Sequence, residues 1–161
     1  MKPSMLFICV LALLFTNCKK RDSDNDSSSL MNVRKNGVQW SESKATGTFN
    51  TRDSVISIVG VEDKETFTIR FKKPVSGSRI EKFEAASILA PARGSAVISD
   101  RYQLDTTKSN KLQILVIENT KKRILGDFYL HLKRKEEAGG KAAETYIYQG
   151  RFDVYYEEIS L

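Results

Sequence analysis

Apolar and polar residues alternate with a period of two through most of the chain from Val33 onward. In the segment Glu65–Lys73, the apolar residues Phe67, Ile69 and Phe71 are separated by Thr and Arg side chains. Side chains repeat every two residues on one face of a strand, whereas an amphipathic helix needs a period near 3.6. The pattern therefore predicts strands with one face turned toward a core.

Repetition of such segments between short polar breaks sets the fold class. The sequence predicts an all-β fold, either an antiparallel β-sandwich or a small β-barrel, of about 8–10 strands. Asn36-Gly37 is typical of a type I′ turn in a β-hairpin. The spacing of Ile80, Phe83 and Ile88 is closer to helical, and it predicts one short helix near residues 79–89.

Two C-terminal segments show most clearly which side chains face outward. In Arg123–Arg134 the predicted inward residues are Phe128, Leu130 and Leu132, and in Arg151–Glu157 they are Phe152, Val154 and Tyr156. The alternate positions then point to solvent. The outward residues that could contact a ligand are Asp127, Tyr129, His131 and Tyr155.

The N-terminus carries an export signal. Lys2 precedes the apolar run Met5–Phe15, and Cys18 follows shortly after it. The run is too short to cross a bilayer, which takes roughly 20 residues. We interpret residues 1–17 as a lipoprotein signal peptide, with Cys18 as the residue that receives lipid, including palmitate. A plain cleaved secretory signal remains the alternative.

This interpretation divides the chain into three parts and predicts its location. Residues 18–30 form the lipidated cysteine and a polar, disordered tether, and residues 31–161 form a single β-domain. We expect the protein in the cell envelope, lipid-anchored to the outer membrane on its periplasmic or its surface-exposed face. The acidic residues Asp22, Asp24 and Asp26 resemble the short signals that export lipoproteins to the outer face.

Residue types exclude most catalytic sites. The chain has one histidine, His131, and two cysteines, Cys9 inside the predicted signal peptide and Cys18. Thiol catalysis, cysteine-based metal sites and disulfides are therefore not expected in the domain. No phosphate-binding glycine loop or serine-nucleophile motif occurs. We predict no enzymatic activity, no cofactor and no metal.

Three weaker signals point to binding. Outward Tyr129 and Tyr155 could stack against sugar rings if their strands are neighbours. The chain has a net charge of +6, and three short basic runs could meet at one end of the sheet and hold an anionic partner; the alternative is that these lysines protect strand edges and solubilise turns. Two carboxylates brought together by folding could act on a polysaccharide. The candidates are Asp100, Asp105, Glu118, Asp127, Asp153, Glu157 and Glu158. The basic runs are Lys72-Lys73, Lys121-Lys122-Arg123 and Lys133-Arg134-Lys135.

Three motifs carry a family resemblance. They are Arg-Lys-Asn-Gly-Val-Gln-Trp at 34–40, Arg-Ile-Leu-Gly-Asp-Phe at 123–128 and Gly-Arg-Phe-Asp-Val-Tyr-Tyr at 150–156. Together they resemble small uncharacterised lipoproteins of Bacteroidetes, which open with an Asn-Gly-x-x-Trp hairpin and finish on a Gly-x-Phe-x-Val-x-Tyr strand. Here Leu125 and Asp127 replace the Ser and Thr of the family's middle motif. The resemblance implies a β-fold and an envelope location, and it brings no known activity.

Together these signals give two hypotheses about function. The first is a non-enzymatic, membrane-anchored envelope lipoprotein whose β-domain binds or scaffolds a partner, such as a glycan or an envelope protein. The second is a carbohydrate-binding or polysaccharide-acting surface protein that uses outward aromatic residues and paired carboxylates. Nucleic acid is not an expected partner in either case, because export separates the domain from it.

Overall fold

The computed structural model describes residues 29–74, 78–90, 97–135 and 142–160, and of residues 41–43 only the backbone. The predicted signal peptide, Cys18 and most of the predicted tether lie outside these residues. All regular structure in the described ranges is β-strand, which confirms the predicted all-β class. The first strand begins at Leu30, one residue before the predicted start of the domain.

Nine strands make up the described fold, within the predicted range. They are β1 (Leu30–Lys35), β2 (Val38–Asn50), β3 (Val55–Glu62), β4 (Glu65–Lys72), β5 (Phe83–Leu89), β6 (Asp100–Leu104), β7 (Lys111–Glu118), β8 (Arg123–Arg134) and β9 (Thr145–Ile159).

Seven of these strands close into a ring. Antiparallel pairing runs from β2 through β3, β4, β5, β6 and β8 to β9. Strand β9 then returns to β2 through a parallel contact between Gly47–Asn50 and Tyr156–Ile159. An odd number of strands cannot alternate direction all the way round, so one neighbouring pair has to be parallel. The closed ring fits the barrel form of the predicted architecture.

Strands β1 and β7 pair with the edges that the ring leaves available. Strand β1 lies between the first halves of β2 and β9, where those two strands have separated. Strand β7 pairs with Arg123–Tyr129 of β8, and β6 pairs with Leu132–Arg134 of the same strand. Strands β6 and β7 therefore pair with different stretches of the same edge of β8, with β6 near its end and β7 near its start.

The strand directions define two ends of the barrel. The entry end is where β1 begins at Leu30 and where β2, β4, β6, β7 and β9 end. The hairpin end is where Asn36 and Gly37 join β1 to β2. These two residues have φ angles of 51° and 81°, the left-handed values that a type I′ turn requires, so the predicted hairpin is confirmed.

The predicted inward residues form the core. Phe67, Ile69 and Leu130 are fully buried, as the period of two predicts. The ring of Phe67 stacks on that of Tyr148 with centroids 4.8 Å apart, and it also contacts Phe128 at 5.6 Å. Aromatic side chains from opposite walls therefore meet across the interior. The other predicted inward residues of the three segments are buried as well: Phe71, Phe128, Leu132, Phe152, Val154 and Tyr156.

The predicted helix near residues 79–89 is wrong, because Phe83–Leu89 is strand β5. Ala85 and Ser87 are buried while Glu84 and Ile88 are exposed, so the segment follows a period of two. Pairing with β4 on one side and β6 on the other supplies hydrogen bonds that outweigh the helical spacing. The described part of the chain contains no helix long and apolar enough to span a membrane.

Gly150 and Gly126, both in motifs that carry the family resemblance, allow close approach of other groups. A Cβ atom at Gly150 would lie 2.1 Å from the carbonyl oxygen of Asn32, in the neighbouring strand β1. At Gly126 a Cβ atom would lie 2.5 Å from the ring of Phe152. The motif glycines therefore make room for strand pairing and for an aromatic core.

We predict that Gly150→Ala destabilises the fold by about 2–3 kcal/mol or more, because the added methyl group meets rigid backbone. Gly37→Asn is the control, since no atom lies within 4 Å of that site and Asn tolerates its positive φ. The free energy of unfolding in urea is the measurement. Equal stabilities for the two variants would contradict this account of Gly150.

Candidate ligand-binding cleft

A cleft of about 620 Å³ opens in the wall of the barrel toward the entry end. It forms because β5 pairs with β6 only along Ala86–Leu89, which leaves Phe83–Ala85 without a β6 partner. Strand β6 ends at Leu104, and the chain then turns away through residues 105–110. The cleft therefore lies between the ends of β4 and β5 on one side and the β6–β7 loop on the other.

The β6–β7 loop is held in place by hydrogen bonds. Buried Asp105 accepts hydrogen bonds from the hydroxyl and backbone N–H of Thr107, at 2.7 and 3.1 Å. The Asn110 amide donates to the Asp105 carbonyl and accepts from the backbone N–H of His131, both at 2.8 Å. The Thr107 hydrogen bonds lower the pKa of Asp105. One wall of the cleft is thus fixed in shape before any ligand arrives.

The cleft combines an apolar floor with a charged rim. Phe71 is buried, Phe83 faces it across the β4–β5 ladder, and both pack with the core, as Leu104 does. The side chains at the rim are mostly exposed and polar. The rim residues are Arg70, Lys72, Glu81, Lys82, Glu84, Thr106, Lys108 and Asn110, with Val55 at one edge.

Positive charge is in excess at this rim. Glu84 pairs with Arg70 at 3.4 Å, and Glu81 pairs with Arg79 at 3.6 Å. Among the residues that the structure describes, no carboxylate forms an ion pair with the ammonium groups of three further residues, Lys72, Lys82 and Lys108. The two rim carboxylates are thus already matched by arginines. Lys72 and Lys82 supply uncompensated positive charge, while the charge of Lys108 also acts on the nearby Asp105 carboxylate and helps to lower its pKa.

The predicted basic runs are divided between the two ends of the barrel. Lys72-Lys73 ends β4, and Lys121-Lys122-Arg123 forms the β7–β8 turn, so both lie at the entry end. Lys133-Arg134-Lys135 ends β8 at the hairpin end. Of these residues only Lys72 lines the cleft. The expectation that all three runs meet at one end is therefore wrong, because β8 carries its two basic runs to opposite ends.

A second polar site, which we call the Glu65 cluster, lies inside the hairpin end. It comprises Glu65 and its four partners. The Glu65 carboxylate accepts a hydrogen bond from Trp40 Nε1 at 2.8 Å and two from Lys35 Nζ at 2.9 and 3.1 Å. The hydroxyl groups of Ser87 and Tyr148 also donate to it. A buried carboxylate is tolerated only with such partners.

The charge of the Glu65 cluster is balanced within the barrel. Burial alone would raise the pKa of Glu65, but hydrogen bonds from Ser87, Tyr148 and Lys35 and the charge of Lys35 outweigh it, so the pKa is lowered. The Lys35 ammonium also lies 4.1 Å from the ring centroid of Tyr146, a favourable cation–π distance. The cluster satisfies its own donors and acceptors, and it closes this end of the barrel.

The outward residues predicted for a binding site do not line the cleft. Asp127, Tyr129 and His131 lie on the outer face of β8, where Asp127 pairs with Arg151 at 2.7 Å. The ring of Tyr129 packs edge-on against that of His131, with centroids 5.3 Å apart. These three positions form a row of alternating residues.

Tyr155 is not part of this row. Strands β8 and β9 are neighbours, as a shared platform requires, but Tyr129 is paired with Gln149 whereas Tyr155 is paired with Arg123. The two tyrosines are therefore six residues apart along the ladder, or roughly 20 Å at about 3.3 Å per residue. A single sugar ring cannot contact both.

Carboxylates on the outer wall are paired with arginines. Glu118 and Asp153 are both hydrogen-bonded to Arg123, at 2.8 and 2.7 Å. Hydrogen bonds from Arg123 lower the pKa of Asp153, the opposite of what a general acid at neutral pH needs. Within the described ranges, His, Cys, Asp and Glu residues form no group of three that could hold a metal ion.

Phe83 and Lys82 are among the cleft residues that the sequence analysis missed, as are Thr106, Lys108 and Asn110 of the β6–β7 loop, for which the sequence carries no local signal. Phe83 and Lys82 fall in the segment that was predicted as a helix. The alternation of Phe83, Ala85 and Ser87 was the signal that could have identified this segment as a strand.

Comparisons of the chain with protein-family models, with curated proteins and with solved structures found no match.

We predict that Glu65→Gln costs about 2–3 kcal/mol of stability at neutral pH, because it removes the carboxylate that pairs with the partly buried Lys35 ammonium and accepts from Trp40, Ser87 and Tyr148. Glu84→Gln, which removes an exposed ion pair on a neighbouring strand, should cost no more than about 0.5 kcal/mol. Urea unfolding of both variants tests this. Similar losses in the two variants would contradict the role given to Glu65.

The Glu65→Gln variant should also change how the free energy of unfolding depends on pH. Since the folded-state pKa of Glu65 lies below its ordinary value of 4.5, its stabilising contribution is complete above pH 4.5 and is lost as the pH falls through the folded-state pKa. The stability difference between wild type and Glu65→Gln should therefore shrink in acid. A difference that stays constant across this range would contradict the assigned titration.

Proposed function

We propose that this chain is a non-enzymatic, lipid-anchored envelope protein whose barrel binds a ligand in the cleft between β5 and the β6–β7 loop. The observation that carries the proposal is the cleft itself. It has a wall held by hydrogen bonds, an apolar floor and three lysines that form no ion pair with a carboxylate of the described residues. Ligand sites are typically concave and largely preformed, with a few polar groups over an apolar base.

The anchoring part of the proposal rests on the N-terminal sequence. The short apolar run Met5–Phe15 and the following Cys18 support lipidation and attachment to the outer membrane, on either face. The resemblance to Bacteroidetes lipoproteins supports the same location. Ser29, the first described residue and the second to last of the proposed tether, is hydrogen-bonded through its hydroxyl group to the backbone of Tyr155 near the end of β9. The tether and the cleft therefore belong to the same end of the barrel.

Binding without turnover is the form of the proposal that the side chains favour. The two carboxylates at the rim, Glu81 and Glu84, each form an exposed ion pair with an arginine and do not face one another as a catalytic pair would. The outer pair Glu118 and Asp153 shares Arg123. These arrangements give less support to a polysaccharide-acting enzyme with paired carboxylates than to a binding protein.

We expect Cys18→Ala to abolish lipid attachment and to release the protein from the membrane fraction, since a triacylated cysteine is the proposed anchor. Mass spectrometry of the native N-terminus and fractionation of cell envelopes are the measurements. Ser23→Ala, in the same tether, is the matched control and should stay with the membrane. Equal fractionation of the two variants would contradict lipid anchoring at Cys18.

Binding in the cleft is tested by backbone amide chemical shifts of the full chain in detergent. Adding the soluble saccharide fraction of the cell envelope should shift the amides of Phe83, Glu84 and Lys108, because these residues line the cleft. The amides of Tyr129 and Tyr155 serve as internal controls and should not move. Shifts confined to those two tyrosines would place the ligand on the outer wall and overturn the proposed site.

A further inference from the structure

We infer that the ligand of the cleft is an acidic saccharide, with its negative groups at the lysine rim and a sugar ring on the apolar floor. This inference rests on the proposed function, because it names the ligand class for the same site. It follows from three properties of the cleft, namely the positive charge of its rim, its limited depth and the aromatic side chains on its floor.

The charge of the rim selects an anion. The two carboxylates are engaged by Arg70 and Arg79, so an arriving ligand meets three lysines that form no ion pair among the described residues. Of these three, Lys108 also interacts with the buried Asp105 carboxylate, so Lys72 and Lys82 carry most of the attraction. Lysine ammonium groups are mobile point charges that hold carboxylate, sulfate or phosphate groups without demanding one fixed geometry. They come from three separate elements, which are the end of β4, the segment before β5 and the β6–β7 loop. Negative groups spread along a ligand suit this arrangement better than one compact charge.

The depth of the cleft argues against a long acyl chain. Directly behind the floor, the interior of the barrel is filled by fully buried side chains such as Phe67, Ile69 and Leu130. Protein interiors of this kind have few voids larger than a water molecule. A chain-like anion could not extend inward past Phe71. The ligand therefore has to lie along the cleft and not down the barrel axis.

The floor offers an aromatic contact to a ring. Phe83 is half-buried and borders the opening, with Phe71 beside it in the ladder. Aromatic side chains present apolar faces against which flat ligands pack. Thr106 at the opposite side carries a hydroxyl group suited to a sugar hydroxyl, whereas the Asn110 amide is already engaged in holding the β6–β7 loop. Anionic groups, hydroxyl groups and a ring face together describe an acidic saccharide.

The test uses tetragalacturonate as the probe and its methyl ester as the uncharged control of the same sugar. Binding to the full chain in detergent is followed by the amide shifts of Phe83, Glu84 and Lys108. We expect tetragalacturonate to shift these amides saturably and the ester to bind at least tenfold more weakly. Raising the salt concentration should weaken the binding of tetragalacturonate, since salt screens the attraction between exposed charges. Inorganic phosphate and decanoate are run as further arms.

Lys82→Glu should weaken tetragalacturonate binding roughly tenfold at low salt, because it reverses a charge at the rim. Lys72→Glu is the second variant and should act in the same direction. Lys64→Glu makes the same change in net charge at the opposite end of the barrel, and it should alter affinity less than twofold. The amide spectrum of each variant reports whether the fold is intact.

The outcomes separate this inference from the proposed function. Equal binding of the ester, stronger binding of decanoate or phosphate, or an equal effect of Lys64→Glu would overturn the acidic saccharide. If tetragalacturonate does not bind but the envelope fraction shifts the cleft amides, the inference fails and the proposed binding site stands. If neither shifts them, both fail.

Discussion

Closure of the sheet between β2 and β9 is the constraint on which the rest of the fold depends. These two strands make a direct parallel contact where Gly47–Asn50 meets Tyr156–Ile159, and they are also joined through β1, which pairs with both of them, so the sheet forms a ring instead of ending in two open edges. Closure also defines an interior, in which Phe67, Tyr148 and Phe128 meet. Gly47 permits the contact, because a Cβ atom there would lie 2.6 Å from a methyl group of Val154.

The two ends of the barrel differ in which side chains cover them and in how their charges are paired. At the hairpin end, Lys35 and Glu65 neutralise one another within a layer of tyrosine rings, and the interior is sealed. At the entry end, Lys73 covers the rings of Phe49 and Tyr156, but the short strand β6 leaves a gap in the wall beside it. Lys35 and Glu65 at the first end pair with each other, whereas Lys72 and Lys82 beside the gap at the second end form no ion pair among the described residues.

The alternation of apolar and polar residues predicted most of the strands, but it could not predict which strands would pair with one another. Alternation in β4, β8 and β9 identified the buried residues correctly, and Asn36-Gly37 identified a hairpin, because both depend on residues close in sequence. Glu65 looked like an ordinary polar residue at a strand start, since its partners Lys35 and Tyr148 come from distant strands. The cleft could not be predicted from the sequence for the same reason, because it exists only where β5 and β6 separate. The outward direction of Tyr129 was predicted, but its distance from Tyr155 depended on the β8–β9 register.

Strand β1 has a mechanical consequence for an anchored protein. It is hydrogen-bonded along its length to β2 on one side and to β9 on the other, and its first residue is the one nearest the tether. If the segment before Leu30 tethers the domain as proposed, a pull from it would act along the axis of this strand, and the bonds on both sides would resist together in shear instead of opening one after another. The strand that carries the load would then be one that is paired on both sides along its whole length, and the tension would be distributed over the closed sheet.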